Sequence, residues 1–232
     1  MIPWLAGDDP FPPVSRALGE PNGLLAAGGE LSQERLLAAY SKGIFPWYQK
    51  GEPILWWSPD PRMVLFPNEL KVSRSLAKTL KKDNFEVRLD TAFEQVIAAC
   101  AKPRRNGGLG TWLTPAMQKA YLDLHRAGFA HSVETYFEGK LAGGLYGVAL
   151  GRVFFGESMF FRVSDASKIA FVSLARQLAQ WNFGMVDCQM QTQHLASFGA
   201  RQIPRRIFTR LLKELVHYPA RAEWVFDHEL LK

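Results

Sequence analysis

The 232 residues are 47% hydrophobic and 22% charged, which is the composition of a folded globular protein and excludes a disordered chain. A chain of this length makes one large or two modest domains, with a core that needs no disulfide or metal to hold it. The net charge of +6 and the seven tryptophans indicate an acidic partner and favour nucleic acid. The basic residues are clustered: Lys78, Lys81 and Lys82; Arg104 and Arg105; Arg201, Arg205, Arg206 and Arg210.

Several other classes of protein are excluded by what the sequence lacks. The only cysteines, Cys100 and Cys188, provide neither a disulfide framework nor a zinc site, which suits a reducing compartment. Residues 1–11 lack the basic start and apolar stretch of a secretory signal. The longest apolar region, 141–161, is interrupted by glycines, Arg152 and Glu157, so no membrane span is predicted.

The first part of the chain is predicted to form a small domain, residues 1–61. Its proline-rich start, Ile2–Pro21, has no periodicity and is predicted to be an irregular arm. Ser32 is a plausible N-cap for a helix that includes Tyr40 and ends before Gly43. The aromatic and proline residues of 43–62 predict a rigid surface loop, in which Trp47 either packs or offers a stacking surface to a base.

Residues 62–232 alternate between strand and helix patterns. Strands are predicted over Arg62–Phe66, Phe85–Leu89, His131–Phe137, Lys140–Ala149, Arg152–Glu157 and Met185–Gln189. Helices are predicted over Ser73–Lys82, from a capping box at Thr91 through Cys100, from Thr114 to Gly128, over Asp165–Asn182, and near Thr192–Phe198 and Arg205–His217. Antiparallel strands flanked by helices predict an α+β domain with a mainly antiparallel sheet.

Residues 151–168 form one segment that contains a candidate catalytic residue. If the strand stays extended, Phe155, Glu157 and Met159 share one face, which predicts an apolar pocket with one carboxylate at its rim. A charge with such neighbours costs several kcal/mol to bury unless it is paired. The alternative is a surface glutamate at the end of a strand.

A second such segment is Met185–Gln191. In a strand, Asp187 and Gln189 point to one face and Cys188 to the other. A carboxylate beside an amide can orient an amine and accept its proton. The alternative is a buried aspartate satisfied by backbone amides. Cys188 has no neighbouring base and is interpreted as a core residue.

The remaining candidates carry less information. His131 and His194 lack metal-ligand spacing and are interpreted as structural residues or phosphate contacts. No serine-nucleophile motif and no phosphate-binding lysine loop is present. The glycine-rich stretch Arg105–Gly110 has the pattern of the pyrophosphate loop of acetyl-CoA-dependent N-acyltransferases but lies at a different place in the order of elements, so the match is interpreted as accidental. It still offers backbone amides and arginines beside Trp112.

The sequence as a whole resembles the leucyl/phenylalanyl-tRNA–protein transferases. The matching stretches are Glu20-Pro21-Asn22-Gly23-Leu24-Leu25, Gly43-Ile44-Phe45-Pro46-Trp47, Trp56-Trp57-Ser58-Pro59-Asp60-Pro61-Arg62, Gly110-Thr111-Trp112, 144–148, Gly156-Glu157-Ser158-Met159-Phe160, Ala166-Ser167-Lys168 and Asp187-Cys188-Gln189. The resemblance implies a second domain like the N-acyltransferase fold. It also implies transfer of leucine or phenylalanine from tRNA to the N-terminal α-amino group of proteins beginning with Lys or Arg, which marks them for degradation. No metal, ATP or CoA is implied, and a cytoplasmic monomer is expected.

The resemblance also assigns the site residues. It implies that Asp187 accepts a proton, that Gln189 holds the carbonyl or relays the proton, and that Glu157 orients an amine. The side-chain pocket is assigned to Leu145, Phe154, Met159, Phe171, Leu174 and Val186, and the terminal adenosine of the tRNA to Tyr40, Trp47 and Trp112. The tRNA backbone is expected at Lys78, Lys81, Lys82, Arg104 and Arg105.

Three alternatives stay open at this point. The 2′-hydroxyl of the tRNA can shuttle the proton, with Asp187 only positioning the substrates. A cell-wall aminoacyl transferase of the same fold would use the ε-amine of a lysine as acceptor. A non-catalytic RNA-binding module would use the basic clusters and Trp47 alone.

Overall fold

The structure is a computed structural model that describes residues 1–82, 84–102 and 112–227. Within these ranges the strands are β1 Trp4–Leu5, β2 Leu24–Gly28, β3 Phe45–Pro46, β4 Leu55–Trp57, β5 Arg62–Leu65, β6 Phe85–Leu89, β7 Ala130–Phe137, β8 Lys140–Leu150, β9 Val153–Phe161, β10 Met185–Gln189 and β11 Arg201–Ile203. The helices are α1 Gln33–Tyr40, α2 Arg74–Leu80, α3 Phe93–Cys100, α4 Pro115–Arg126, α5 Ala166–Gln180, α6 Gln193–Ala196 and α7 Arg205–Leu215.

The strands form two sheets. The small sheet has the order β1-β2-β4-β3, and the large sheet has the order β11-β5-β10-β9-β8-β7-β6. Every neighbouring pair in the large sheet is antiparallel except β9 and β10, which are parallel. The predicted class, an α+β fold with a mainly antiparallel sheet flanked by helices and a small N-terminal domain, is confirmed. The domain boundary at 61/62 stays a prediction.

The two faces of the large sheet carry separate apolar clusters. One cluster, here the N-terminal face, joins Val64 and Phe155 to the small sheet and to α1, α3, α4 and α7. The other, here the α5 face, joins Met63, Phe154 and Val186 to α5 and α2. Neighbouring residues of one strand fall in different clusters because side chains alternate across a strand.

The parallel pair β9 and β10 separates soon after it begins. Met185, Val186 and Asp187 pair with Val153, Phe154 and Phe155. β9 then continues to Phe161 beside β8, whereas β10 ends at Gln189, whose φ of 54° falls at an irregularity in the pairing with β5. A gap therefore opens in the middle of the large sheet, at the level of Asp187.

Local signals predicted several helix starts correctly. The side chain of Ser32 accepts a hydrogen bond from the amide of Arg35, and Thr114 caps α4 with Pro115 at its first position. The prediction of a capping box at Thr91 is wrong. Thr91 donates its hydroxyl and its amide to the buried carboxylate of Glu134, at 2.8 and 3.2 Å, so α3 begins without a side-chain cap.

Two predictions for the N-terminal part are also wrong. The segment 43–62 is not a surface loop, because it contributes β3 and β4 and fully buries Trp56. The arm 2–21 is not wholly irregular, because Trp4–Leu5 pairs in parallel with β2. All three strands, β1, β3 and β4, are too short to show alternation and depend on partners elsewhere in the chain. Among the described residues, no helix has the length and apolar character needed to cross a membrane.

Candidate active site

Glu157 occupies a bulge in β9. Gly147 of β8 pairs with Gly156, and Tyr146 pairs with Ser158, so Glu157 is the extra residue between the two pairs. The bulge interrupts the alternation of side chains. Phe155 therefore belongs to the N-terminal face and Met159 to the α5 face, and the prediction that Phe155, Glu157 and Met159 share one face is wrong.

The carboxylate of Glu157 is held by two tyrosines. Tyr40 of α1 donates to Oε1 at 2.8 Å, and Tyr121 of α4 donates to Oε2 at 2.7 Å. The two phenol oxygens are also 2.8 Å apart. Burial raises the pKa of Glu157 to about 7, against the lowering effect of the two phenol hydrogen bonds. A glutamate with this pKa changes charge near neutral pH.

Asp187 is bound by an arginine that follows the matched Trp-Trp-Ser-Pro-Asp-Pro motif. Arg62 donates Nε to Oδ1 at 2.8 Å and Nη2 to Oδ2 at 2.7 Å. Both side chains are enclosed, with 1% and 0% of their surface exposed. A bidentate guanidinium–carboxylate pair is one of the stronger hydrogen-bonded arrangements in proteins. The open question of what satisfies Asp187 is thus answered mainly by Arg62.

Two aromatic rings hold Arg62 in place. Its guanidinium carbon lies 4.8 Å from the ring centre of Phe45 and 4.7 Å from that of Phe208, which is the geometry of a cation–π contact. The sequence contained a signal for this residue, because Arg62 directly precedes the apolar run of residues 63–66, and an arginine buried with such a run needs a partner. Tyr121, also missed, gave no such signal, since its contact depends on how α4 packs.

Gln189 is tied to Asp187 by its backbone. Its amide N–H donates to Oδ1 of Asp187 at 3.0 Å. Within the described residues, its side-chain Nε2 is buried and has no hydrogen-bond partner. A buried donor without a partner is costly, and a carbonyl oxygen is the kind of group that would satisfy it. Cys188 is a buried core residue, as predicted.

The two carboxylates lie close enough to influence each other. Asp187 pairs with Phe155, two residues before Glu157. The negative charge of Asp187 adds to the increase in the pKa of Glu157, and the positive charge of Arg62 opposes it. Glu157, Asp187 and Gln189 therefore lie near the point where β9 and β10 separate.

The six predicted pocket residues all belong to the α5 face. Leu145, Phe154, Phe171, Leu174 and Val186 are buried there, and Met159 packs against them partly exposed. Phe154 of β9 pairs with Val186 of β10, one residue before the pair of Phe155 and Asp187. Phe154 and Val186 thus lie on the α5 face beside the start of the gap, whereas Phe155 and Asp187 lie on the opposite face of the sheet. Binding of an aminoacyl side chain by this set stays a prediction.

The predicted adenosine residues differ in exposure. Trp47 is 38% exposed and meets Trp57 edge to face at 5.6 Å. Trp112 is partly buried and lies two residues before Thr114, whose hydroxyl is 3.3 Å from that of Tyr48, the residue after Trp47. Tyr40 is only 1% exposed, so its ring offers almost no surface to a base. All three assignments stay predictions.

The predicted backbone-binding lysines are on one helix and its end. Lys78, Lys81 and Lys82 are exposed at α2. Arg104 and Arg105, like the Arg105–Gly110 stretch, lie outside the described residues. Of the two candidate histidines, His131 and His194, His131 is buried, and its Nδ1 lies 2.7 Å from a carboxylate oxygen of Asp90. This contact agrees with a structural role.

Comparison with known proteins connects this site to a family. Residues 64–213 match the family model described as leucyl/phenylalanyl-tRNA protein transferase, and residues 29–60 match the model of its N-terminal domain. Curated relatives named leucyl/phenylalanyl-tRNA–protein transferase include one from Nitrosospira multiformis, 66% identical over 99% of both chains. Another, from Nitrosomonas europaea, is 62% identical over 98% of this chain and 96% of its own.

The solved structures are much less similar to this chain than the curated relatives are. A GCN5-related N-acetyltransferase from Kribbella flavida gives a TM-score of 0.38 at 9% identity, over 72% of this chain and 59% of that one. L-PGS from Bacillus licheniformis gives 0.44 at 9% identity, over 85% and 73%. The family models and the curated relatives are decisive: the chain belongs to the leucyl/phenylalanyl-tRNA–protein transferase family and is an aminoacyltransferase.

Proposed function

We propose that the chain transfers leucine or phenylalanine from aminoacyl-tRNA to the N-terminal α-amino group of proteins that begin with Lys or Arg. The modified N-terminus would mark the acceptor for degradation, and the enzyme would act as a cytoplasmic monomer. The observation that carries the proposal is that Glu157, Asp187 and Gln189 lie near the gap between β9 and β10, beside the apolar set of the α5 face.

The chemistry fits the groups at this gap. The amino acid arrives as an ester, which is already activated, so the enzyme mainly has to align an amine with a carbonyl and exclude water. The unpartnered Nε2 of Gln189 is a donor for that carbonyl oxygen, where negative charge develops in the reaction. The apolar set on the α5 face has the character needed to hold a leucine or phenylalanine side chain.

Recognition of the tRNA is assigned to the exposed basic and aromatic residues. Trp47 and Trp112 are candidates to stack on the terminal adenine, since aromatic faces hold unpaired bases. Lys78, Lys81 and Lys82 are exposed at α2 and are candidates for phosphate contacts, which supply affinity without sequence specificity. The net charge of +6 favours association with RNA in general.

A transfer assay tests the proposal. Purified protein is incubated with leucyl-tRNA carrying labelled leucine and a peptide that begins with Arg, and the product is identified by mass spectrometry. We expect leucine on the N-terminal amine, and no product with the same peptide acetylated at its N-terminus. Absence of transfer to the free peptide would reject the proposed function.

The same assay separates the cell-wall alternative. A second peptide has a blocked N-terminus and one free lysine ε-amine. Transfer to that lysine at a rate comparable to the α-amine reaction would favour an ε-amine acceptor. We expect no such product.

A further inference from the structure

The proposed transfer requires a group that accepts a proton from the incoming amine. An α-amino group has an ordinary pKa near 8, so a fraction of it is the neutral nucleophile at neutral pH. When the nitrogen of this neutral amine bonds to the carbonyl carbon, it must lose one further proton to give the amide. Two carboxylates are available at the gap, Asp187 and Glu157. The resemblance to the family assigns this role to Asp187.

The surroundings of Asp187 argue against that assignment. Its two oxygens both accept hydrogen bonds from Arg62, and Oδ1 accepts a third from the amide of Gln189. None of its surface is exposed. The Asp187 carboxylate is therefore enclosed by hydrogen-bond donors on both oxygens, and an incoming amine would have to displace one of them to reach it.

Glu157 is placed differently. It is the extra residue of a bulge, a feature that often redirects a side chain near active sites, and it is partly exposed. Each of its oxygens accepts one hydrogen bond, from Tyr40 and from Tyr121. A carboxylate has about four acceptor positions, so these two contacts, counted among the residues that the structure describes, leave positions open for a proton.

We propose, on the basis of the proposed function, that Glu157 accepts the proton from the acceptor amine, while Arg62 and Asp187 act as positioning residues that hold Gln189 against the substrate carbonyl. As the nitrogen of the neutral amine forms a bond to the carbonyl carbon, it gives one proton to Glu157, and the bond between that carbon and the ribose oxygen breaks. The proton held by Glu157 passes to the departing oxygen. The chain and its substrates thus supply every atom and electron pair of the step.

The electrostatic environment suits this role. A general base works best when its pKa is near the working pH, and burial raises the pKa of Glu157 to about 7. The titratable or charged groups that act on it come from five elements: Tyr40 of α1, Tyr121 of α4, Tyr146 of β8, Asp187 of β10 and Arg62 of β5. Loss of a phenol hydrogen bond should raise this pKa further, because that bond favours the charged form.

The test is the pH dependence of kcat at saturating tRNA and peptide, measured for Glu157→Gln, Asp187→Asn and Tyr121→Phe. Wild-type activity should rise with pH through an inflection near 7. Glu157→Gln should lower kcat by about 100-fold or more and remove this inflection, leaving only the titration of the amine near 8. Asp187→Asn should lower kcat but keep an inflection, moved to lower pH because the negative charge beside Glu157 is removed.

Tyr121→Phe gives an independent measurement, which is useful because Asp187→Asn also weakens the fold. Its inflection should move to higher pH, a result that a purely structural role of Tyr121 would not produce. The inference is overturned if Glu157→Gln keeps the inflection while Asp187→Asn loses it, or if Tyr121→Phe leaves it in place. Absence of transfer by the wild-type protein would instead reject the proposed function and the inference with it.

Discussion

Arg62 and Asp187 form a bidentate ion pair that solvent does not reach, with hydrogen bonds of 2.8 and 2.7 Å. The pair joins β5 to β10, which are neighbours in the large sheet although the two residues are 125 positions apart in the chain. It fixes the carboxylate to which the backbone amide of Gln189 donates a hydrogen bond. Stability and the geometry of the gap therefore depend on the same contact.

The first prediction concerns this pair. Asp187→Asn removes the countercharge and leaves the guanidinium of Arg62 buried and unbalanced. Breaking one side of a buried pair typically costs about 3–5 kcal/mol, and we expect a loss of that size in the free energy of unfolding. Urea denaturation followed by tryptophan fluorescence measures it.

A matched control is the pair of Glu69 and Arg201. This pair also involves a strand beside β5, but both side chains are about half exposed, at 50% and 48%. Exposed pairs contribute little because solvent screens them. Glu69→Gln should leave the urea midpoint unchanged within error. A similar loss for both variants would contradict the importance given to burial.

The second prediction is a pH dependence of stability caused by Glu157. Its folded-state pKa of about 7 lies above the ordinary value of 4.5, so the folded protein binds this proton more tightly than the unfolded chain. The resulting stabilisation is complete below about pH 4.5 and is lost as pH rises through 7. Glu157→Gln does not ionise, so relative to the wild type it should gain about 1–3 kcal/mol between about pH 5 and pH 8.5.

This prediction is checked by urea unfolding at several pH values. Gln191→Asn, at an exposed position, changes no ionisable group and serves as the control, so its difference from the wild type should be constant. If Glu157→Gln also differs by a constant amount across this pH range, the carboxylate does not titrate as the structure indicates.

The sequence predicted the parts of the fold that depend on local patterns. Local signals identify Ser32 as an N-cap and place the start of α4 at Thr114-Pro115, and periodicity indicates the long strands and α5. The strands that local patterns do not indicate are two or three residues long. β11, for example, forms only through its pairing with β5, far away in the sequence, and no local pattern encodes such a partner.

The site was predicted in residue type but not in geometry. The family motifs identified Glu157 and Asp187, but the bulge at Glu157 depends on how β8 is aligned against β9. The contact of Tyr121 with Glu157 depends on the packing of α4. These relationships arise from register and tertiary packing, which a single sequence specifies only indirectly.

The third prediction tests the apolar set on the α5 face. Met159 packs there partly exposed, so Met159→Trp should fill space that a larger side chain of the substrate needs. We expect the ratio of phenylalanine to leucine transfer to fall by about tenfold, measured with both aminoacyl-tRNAs in competition. Phe161→Trp, two residues further along β9 and 68% exposed, is the control and should keep the ratio. An unchanged ratio for Met159→Trp would argue against this pocket.

The fourth prediction concerns the lysines at α2. Replacing Lys78, Lys81 and Lys82 with Gln should weaken tRNA binding, because fewer phosphates are then neutralised by the protein. The slope of log Kd against log salt should fall by about 1 for each lysine that binds a phosphate in the wild-type complex. Filter binding from about 50 to 200 mM salt measures this slope.

The control for the lysines removes the same charge elsewhere. Arg206, Arg210 and Lys213 are exposed on α7, which packs on the N-terminal face rather than the α5 face. Their replacement by Gln should reduce affinity less and leave the slope nearly unchanged. Equal effects of the two triple variants would show that binding follows net charge and not a site at α2.

The fifth prediction compares two glycines that pair directly across β8 and β9. A Cβ on Gly147 would lie 2.2 Å from the carbonyl oxygen of Phe155 and 2.5 Å from the ring of Phe154. A Cβ on Gly156 would meet only the carbonyl oxygen of Asp187, at 3.6 Å. The two residues oppose each other at the bulge that positions Glu157, but only Gly147 has no room for a side chain.

Gly147→Ala should therefore destabilise the protein by about 1–3 kcal/mol or more, the usual cost of overpacking, and Gly156→Ala by less than about 0.5 kcal/mol. The backbone must shift to admit a methyl group at Gly147, and the contacted atoms belong to the residues that precede the bulge. Gly147→Ala should also lower transfer activity at temperatures where it remains folded, whereas Gly156→Ala should keep most of it. Similar stability of the two variants in urea denaturation would contradict the close packing of β8 against β9 on which the position of Glu157 depends.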